Sequence, residues 1–334
     1  MNKALVTGGA GYIGTHTIVE LLEKNIGVVV VDNLLNSKEE AIKRVEKLTG
    51  KKVDFYKLDV CDKAALDKVF KKHPDIKSII HFAGCKAVCE SLENPLKYYK
   101  NNVATTITLL ESMHTAGVKN LVYSSTASVY KLDTPALNEN SPLGSKNPYG
   151  LSKAMAEKVI IDYATANPDF KAVILRYFNA VGAHKSGQIG EDPTGYPHNL
   201  MPFITQVAVG TRPLLQIFGG DYDTPDGSCV RDYMHVADLA KGHLLALDAL
   251  ENGVKIYNLG SSNPVSVLEI VNAFIKVNSV KVPFEVAPRR LGDEPSYYTI
   301  STKAQIELGF KTTRTLEDMC KDHYRWQKNN PQGY

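Results

Sequence analysis

The 334-residue sequence predicts a doubly wound α/β fold, a parallel sheet with helices on both faces, on three observations. Short β-branched runs alternate with amphipathic helical stretches through the first half. A glycine-rich turn, TGGAGYIG (7–14), joins the first run to the first helical stretch, and an acidic residue, Asp32, closes the second run. Apolar strands joined by crossover helices need cover on both faces, which is why each reads as a nearly continuous apolar run.

In order, the expected strands are ALVTG (4–8), GVVVVD (27–32), VDFYKLD (53–59), KSIIHFAG (77–84), KNLVYSS (119–125) and KAVILRYF (171–178). Helical patterns lie near 13–24, 37–48, 62–72, 93–116 and 149–166. After Phe178 the texture changes: residues 179–233 are rich in Gly, Pro, Asn and Asp, with one helical stretch, LMPFITQVAVG (200–210). HVADLAKGHLLALDAL followed by KIYNLG supplies a helix–strand pair able to return to the main sheet. The tail carries a helix (266–277), a short strand (281–287) and a final helix (314–328). The expected organisation is a Rossmann-type dinucleotide-binding domain, residues 1–178 plus about 235–260, and a smaller interleaved α+β substrate domain from 179–234 and 261–334.

With 39 basic and 36 acidic residues the net charge is +3, which makes no electrostatic case for nucleic acid or an anionic membrane. MNKALV already reads as the start of a buried strand, leaving no room for a secretory leader, and no apolar run approaches a membrane span. The five cysteines are scattered; Cys85 and Cys89 form a close pair without a second Cys/His cluster, so no metal site is expected. Reduced thiols and a cytoplasmic location follow.

In TGGAGYIG, Gly8, Gly11 and Gly14 stand where a backbone must turn tightly and approach a pyrophosphate seated on a helix N-terminus. Asp32, 18 residues after Gly14, would accept hydrogen bonds from an adenosine ribose and repel a 2′-phosphate. Asn33 and Leu34 offer no arginine to reverse that choice, so NAD is preferred over NADP. HFAGCKAV (81–88) ends the fourth strand at the ligand-binding edge; Ala83 and Gly84 would admit a cofactor, while Lys86 reads equally well as a solvated lysine. Asp59 would meet an adenine amino group or simply turn the chain. YSSTASVY (123–130) brings hydroxyls, Ser124, Ser125 and Thr126, to the end of the fifth strand, where such residues often only cap and turn.

NPYGLSK places Tyr149 and Lys153 four apart at a helix start, hence on one face with Cβ atoms about 6 Å apart. A free tyrosine, with a pKa near 10, is a poor base, and lowering it about three units needs roughly 4 kcal/mol. A cation about 4 Å away at an effective dielectric of ~20 supplies that order of energy. Alone, the pair reads as a packed Tyr and a solvated Lys; after a cofactor loop and a hydroxyl-rich strand end it reads as an acid–base device.

These segments, with DNLLNS, YYKNNV, LRYFNAVGAH, GEDPTG, NLMPFITQVAVG, VRDYMHV, YNLGSS, APRRLGDEPSYY and HYRWQKNNPQGY, resemble the extended short-chain dehydrogenase/reductase family over essentially the whole chain, and within it the UDP-glucose 4-epimerase branch. The resemblance implies interconversion of UDP-galactose and UDP-glucose by transient oxidation at sugar C4. Tyr149 would take the hydroxyl proton, a retained NAD the hydride, and re-reduction of the 4-keto sugar would occur on either face. It implies that Tyr12, Ile13, Asn36, Ser37, Val60, Phe82, Asn101 and Phe178 join the cofactor site, Phe178 walling the nicotinamide. On the substrate side it implies Lys86 and Thr126, Arg231 and Arg290 on the diphosphate, Asn179, Asn199 and Leu200 near the diphosphate or sugar, Gln216 and Phe218 around uracil, Asp293 on the uridine ribose and Tyr297 gating pocket size. A homodimer is implied through helices near 93–116 and 149–166, paired as a four-helix bundle, although apolar faces there would equally suit intrachain core.

Three departures stand out. Thr126 replaces the usual catalytic serine, Lys131 a common glycine with a slightly short loop (131–146) after it, and bulky Tyr297 suggests that N-acetylated sugars are largely excluded. A 4,6-dehydratase would carry Asp-Glu after the strand-end Thr, where this chain has Ala127-Ser128. A non-catalytic NAD-binding scaffold would be expected to have lost Tyr149, Lys153 or the strand-end hydroxyl.

Overall fold

The computed structural model describes residues 3–197, 199–290 and 293–334. Met1 and Asn2, which open MNKALV, and Leu291 and Gly292, within APRRLGDEPSYY, lie outside the described residues. Strands β1 (Lys3–Thr7), β2 (Gly27–Asp32), β3 (Asp54–Lys57) and β4 (Ile76–His81) alternate with helices α1 (Tyr12–Glu23), α2 (Glu39–Thr49) and α3 (Lys63–Lys72). Val28 to Val31 are all buried, as only a strand covered on both faces allows. In α2 the buried Ala41, Ile42 and Val45 form one stripe, and α3 starts where Asp62 accepts from the Ala65 N–H at 3.0 Å.

The expected helix over 93–116 is broken into α4 (Val88–Glu93), α5 (Pro95–Tyr98), a π-helical turn (Tyr99–Ala104) and α6 (Thr105–Ala116). Pro95 has no N–H to extend the α4 ladder, so a new helix begins there. The π turn aims Asn102 back at the end of β4: its Oδ1 accepts from Cys85 N at 2.7 Å, and its Nδ2 donates to Cys85 O at 3.1 Å. Then come β5 (Asn120–Thr126), β6 (Ala136–Leu137), α7 (Pro148–Ala166) and β7 (Lys171–Tyr177). Asn147 caps α7 by accepting from Gly150 N at 2.9 Å, with Pro148 in the first turn, so Tyr149 starts the helix in a fixed position.

Beyond Phe178 the chain forms β8 (Asn179–Val181), α8 (Leu200–Ala208), β9 (Leu215–Phe218), β10 (Val230–His235), α9 (Val236–Asp248) and β11 (Gly253–Leu259). The rest is β12 (Pro264–Ser266), α10 (Val267–Asn278), β13 (Phe284–Ala287), β14 (Ser296–Thr299), α11 (Thr302–Leu308) and α12 (Leu316–Asn329). Among the described residues the main sheet holds seven strands in the order β11-β7-β5-β4-β1-β2-β3, all parallel. Ile18, Leu21, Val45, Leu239 and Leu244 pack on one face; Leu66, Phe70, Leu109, Met113 and Ile160 pack on the other. The strand order reverses beside β1 and β4, so their C-terminal ends open a crevice.

A third core, with Met201, Ile204, Ile217, Ile270, Phe274 and Met319, joins α8, α10 and α12 to β9 and β10. β10 pairs with β8, β12 and β14, and β14 also pairs with β6, which ties this region to the loop before α7. Several of these strands were not expected from the sequence. β6, β8, β12 and β14 are too short to show a period, and in β10 the alternation is masked by buried Arg231 and Asp232. Asp232 is tolerated because Ser261 N, Ser261 Oγ, Ser262 N and Thr299 N all donate to it. β1, β3, β4 and β7 end before Gly8, Asp59, Gly84 and Phe178, although Gly8 N still donates to Val31 O at 2.8 Å and Phe178 N to Leu259 O at 3.2 Å.

Candidate active site

The turn after β1 is pinned by Gly8 N donating to Val31 O at 2.8 Å and Gly11 N donating to Gly8 O at 3.2 Å. Gly8 has φ +67°, and a Cβ there would lie 2.6 Å from Ala83 N; a Cβ on Gly14 would lie 2.6 Å from Gly8 O. Neither position has room for a side chain, and the first turn of α1 carries neither a side-chain cap nor an acidic residue. Its free N–H groups therefore face a cleft of about 420 Å³. This cradle fits a dinucleotide pyrophosphate.

Gly8, Gly11, Tyr12, Ile13, Gly14, Asp32, Asn33, Asn36, Ser37, Asp59 and Val60 line that cleft, as do Phe82, Ala83, Gly84, Lys86, Asn101, Tyr149 and Lys153. Asp32 is already engaged: Ala10 N donates to Oδ2 at 3.0 Å, and Leu34 N and Ser37 Oγ donate to Oδ1 at 2.9 and 2.8 Å. These bonds aim the carboxylate and leave a lone pair on Oδ2 for a ribose hydroxyl. Asp59 accepts from Cys61 N at 2.8 Å and from Asn33 Nδ2 at 3.3 Å, so the turn role and the cleft-facing role coexist.

Tyr149 sits at the mouth of the crevice, its ring 6.3 Å from that of Tyr98 in an edge-on contact. Lys153 is 6% exposed, with Nζ 4.5 Å from the centre of the Tyr123 ring. Burial pulls Lys153 down to about 8, against the pull of Glu157 and then Cys85 to keep it charged. Burial pushes the Tyr149 hydroxyl up to about 12; hydrogen bonding with Thr126 lowers it, and Tyr297 raises it. In the polypeptide alone desolvation of the phenolate is the largest influence on Tyr149, and the expected basicity rests on Lys153 acting together with a positively charged nicotinamide. Thr126 ends β5 with its hydroxyl accepting from Ser128 N at 3.1 Å.

Of the remaining residues expected around the substrate, Arg231, Tyr297, Asp293, Arg290 and Phe218 group at the edge where β10 meets β14, whereas Asn199 lines the cofactor cleft. Register sets Arg231 beside Tyr297, and the guanidinium carbon lies 4.4 Å from the centre of the Tyr297 ring. Asp293 receives Arg290 Nε at 2.9 Å and stands 3.9 Å from Arg231, while Arg290 covers the Phe218 ring at 4.8 Å. Gln216 donates to Glu285 Oε1 at 3.2 Å on an exposed strand. Asn179 opens β8 opposite Tyr233, Asn199 precedes α8 and Leu200 begins it. Phe178 is 5% exposed and packs with Ala127, Val129, Tyr130 and Leu137, its ring 6.1 Å from Tyr297.

The structure adds residues that sequence reasoning did not single out. Glu191, 3% exposed, accepts from Lys86 Nζ at 2.8 Å and from Asn199 Nδ2 at 2.6 Å, bringing an expected cofactor ligand and an expected substrate ligand onto one carboxylate oxygen. Asp192 pairs with Lys38 at 2.9 Å and accepts from Tyr334 N at 3.0 Å, so the last residues close over the cleft. GEDPTG marked this loop, but nothing in its composition reveals partners more than a hundred residues away. Among the described residues no group of three or more His, Cys, Asp or Glu could hold a metal, and no helix is long and apolar enough to cross a membrane.

The cradle, the sheet order and the Tyr149–Lys153 pair define an NAD-dependent sugar-nucleotide enzyme of the doubly wound class. The profile of the NAD dependent epimerase/dehydratase family matches residues 4–260, and the chain belongs to that family. Its relatives include the UDP-glucose 4-epimerase of Dictyostelium discoideum, 50% identical over 100% of this chain and 98% of the relative. That of Bacillus subtilis is 51% identical over 99% of this chain and 98% of the relative. The solved UDP-glucose 4-epimerase of Bifidobacterium longum in complex with NAD+ and UDP superposes with a TM-score of 0.96 at 46% identity, covering 100% of both chains.

Proposed function

We infer that this enzyme interconverts UDP-galactose and UDP-glucose using a bound NAD. The observation that carries the reading is the Tyr149–Lys153 pair at the mouth of a glycine-walled dinucleotide cleft, in a chain half identical to UDP-glucose 4-epimerases along its whole length. When bound, NAD supplies a hydride acceptor and donor, so that sugar C4 is oxidised to a ketone and reduced again.

The residues around it divide the remaining work. Tyr149 takes the C4 hydroxyl proton and returns it; Lys153 adds positive charge that favours the phenolate, and Thr126 holds the same hydroxyl group in line. The charge on a bound nicotinamide is the further contribution that Tyr149 needs, given how far burial raises it. Gly8, Gly11 and Gly14 hold the pyrophosphate and Asp32 the adenosine ribose. Arg231 and Arg290 grip the substrate diphosphate with Asn179 and Asn199 beside them, Gln216 and Phe218 frame uracil, and Asp293 meets its ribose. Binding energy drawn from the nucleotide leaves the hexose free to present either face. In the domain division proposed above, 1–178 with about 235–260 carries most cofactor contacts and 179–234 with 261–334 most of the nucleotide contacts of the substrate, with Tyr149 and Thr126 meeting the sugar from the first.

A homodimer is part of the proposal. Leu92, Leu96, Ile107, Leu151 and Met155 are 52, 80, 42, 36 and 48% exposed along α4 to α7, which supports an apolar seam between two copies. The five free cysteines support a reducing, cytoplasmic setting. The test is to dialyse the purified protein, add UDP-galactose without NAD, and separate the sugar nucleotides. UDP-glucose should appear; no product, even with NAD supplied, would refute the reading.

A further inference from the structure

α7 carries a third titratable residue at the same spacing. Glu157 stands four residues after Lys153, as Lys153 stands four after Tyr149, so all three share one helix face. Glu157 is 1% exposed, and the acid–base step described above does not use it. Its Oε1 accepts from Ser125 Oγ and from Arg176 Nε at 3.0 Å, and its Oε2 accepts from Arg176 Nη2 at 2.6 Å. Ser125 immediately precedes Thr126. Arg176, 3% exposed on β7, also donates through Nη1 to the Tyr130 hydroxyl at 3.1 Å, which in turn donates to Asn258 Oδ1 at 2.6 Å.

Stability is a poor account of this arrangement. Desolvation cancels most of the attraction in a buried ion pair, and apolar residues of similar volume generally serve as well. What an apolar pair could not provide is a fixed negative charge one helical turn from Lys153. The titratable and charged groups around Lys153 are Tyr149 and Glu157 on its own face of α7, Tyr123 on β5, His81 on β4 and Cys85 just beyond it, with Arg176 of β7 behind Glu157. His81 is kept neutral, pushed down to about 3 by burial and by Lys153 itself. Arg176 has its own charge engaged by Glu157.

We propose that Glu157 is a positioning residue of the Tyr149–Lys153 pair: its carboxylate, fixed by Arg176 and Ser125, holds Lys153 as an ammonium against the burial that would neutralise it. This rests on the acid–base reading above. Burial alone favours a neutral lysine, and a neutral lysine gives no electrostatic support to a phenolate on Tyr149. The anchors come from β5 and β7, so the carboxylate cannot swing away when ligands enter.

The test is the pH profile of kcat for UDP-galactose conversion by the holoenzyme, with Glu157→Gln, Glu157→Asp and the double variant Glu157→Gln/Arg176→Gln beside the wild type. Removing a nearby negative charge lowers the proton affinity of both Lys153 and Tyr149. Both limbs of the Glu157→Gln profile should therefore move toward acid by about one pH unit. Glu157→Asp keeps the charge and should keep the limbs in place. If Glu157→Gln fails to fold because Arg176 is left unpaired, the double variant decides, with a smaller shift still toward acid expected because the Arg176 cation leaves with the carboxylate. Unmoved limbs in the folded charge-removing variants, whatever the uniform loss of kcat, would overturn the inference. A wild-type protein without turnover would remove the underlying acid–base reading first and this inference with it.

Discussion

On the Tyr149 hydroxyl, burial and the Thr126 hydroxyl pull in opposite directions, and burial prevails in the polypeptide by itself. On the proposed mechanism, the positive charge of a bound nicotinamide would add to that of Lys153 and offset this burial, so that proton removal belongs to the loaded site. Tyr149→Phe should keep NAD yet lose roughly a hundred- to ten-thousand-fold in kcat, read from product formation beside NAD released on denaturation. Retention of near-wild-type activity would remove Tyr149 as the base. Tyr297 is held between the Arg231 guanidinium and Phe178, so its ring cannot easily withdraw. Tyr297→Ser should admit UDP-N-acetylgalactosamine, assayed by direct competition with UDP-galactose; no gain would remove it as the gate. Tyr149 and Lys153 were legible because their relation is local, four residues apart on a helix with a Pro and an Asn at its start. Glu191 was not: its meaning lies in Lys86 and Asn199, which reach it through space.

Elements show the same division. β1, β2, β4, β5 and β7 were readable because each is a buried apolar run long enough to show its pattern, whereas β3 (DFYK) has no buried residue. The C-terminal limits were read too long at Gly8, Asp59, Gly84 and Phe178; Gly8, Asp59 and Gly84 line the cleft, while Phe178 packs with Ala127, Val129, Tyr130 and Leu137. The break between α4 and α6 was missed although Pro95 announces it, because the apolar spacing runs on through the π turn. That turn is what lets Asn102 fasten the β4 end, and Gly84 lies close enough that an added Cβ would meet Asn102 Oδ1 at 2.6 Å. Gly14→Ala, which puts a methyl against Gly8 O, should lower bound NAD per chain and the thermal midpoint together. Unchanged NAD content would show that the turn has slack. Leu96→Glu with Met155→Glu should halve the mass seen by sedimentation if α5 and α7 form the interface; an unchanged mass would place the interface elsewhere.

The whole molecule buries neutral histidines around its cores. Burial lowers His16 and His81 to about 3 and His243 and His323 to about 4, and each ordinarily titrates near 6.5 once unfolded. The unfolded chain therefore binds protons first as pH falls, so their contribution to stability is intact above about 6.5 and declines toward 4. The thermal midpoint should drop steadily from pH 7 to pH 4.5, and a flat profile would contradict the buried neutral state. At this scale the first half of the fold was legible, as were α8, α9, β11, α10, β13 and α12 of the second, but the small sheet around β10 was not. The main sheet's strands are separated by helices that announce their crossovers, whereas β10 is built from pairings with β8, β12 and β14, strands too short to show a period.

The most direct test of the central claim follows the hydrogen on carbon 4. UDP-galactose deuterated at C4 should yield UDP-glucose that keeps deuterium at C4, because the hydrogen leaves and returns as hydride inside a closed site. Loss of the label to solvent would mean that it leaves as a proton, and would contradict oxidation at C4 and the role assigned to Tyr149.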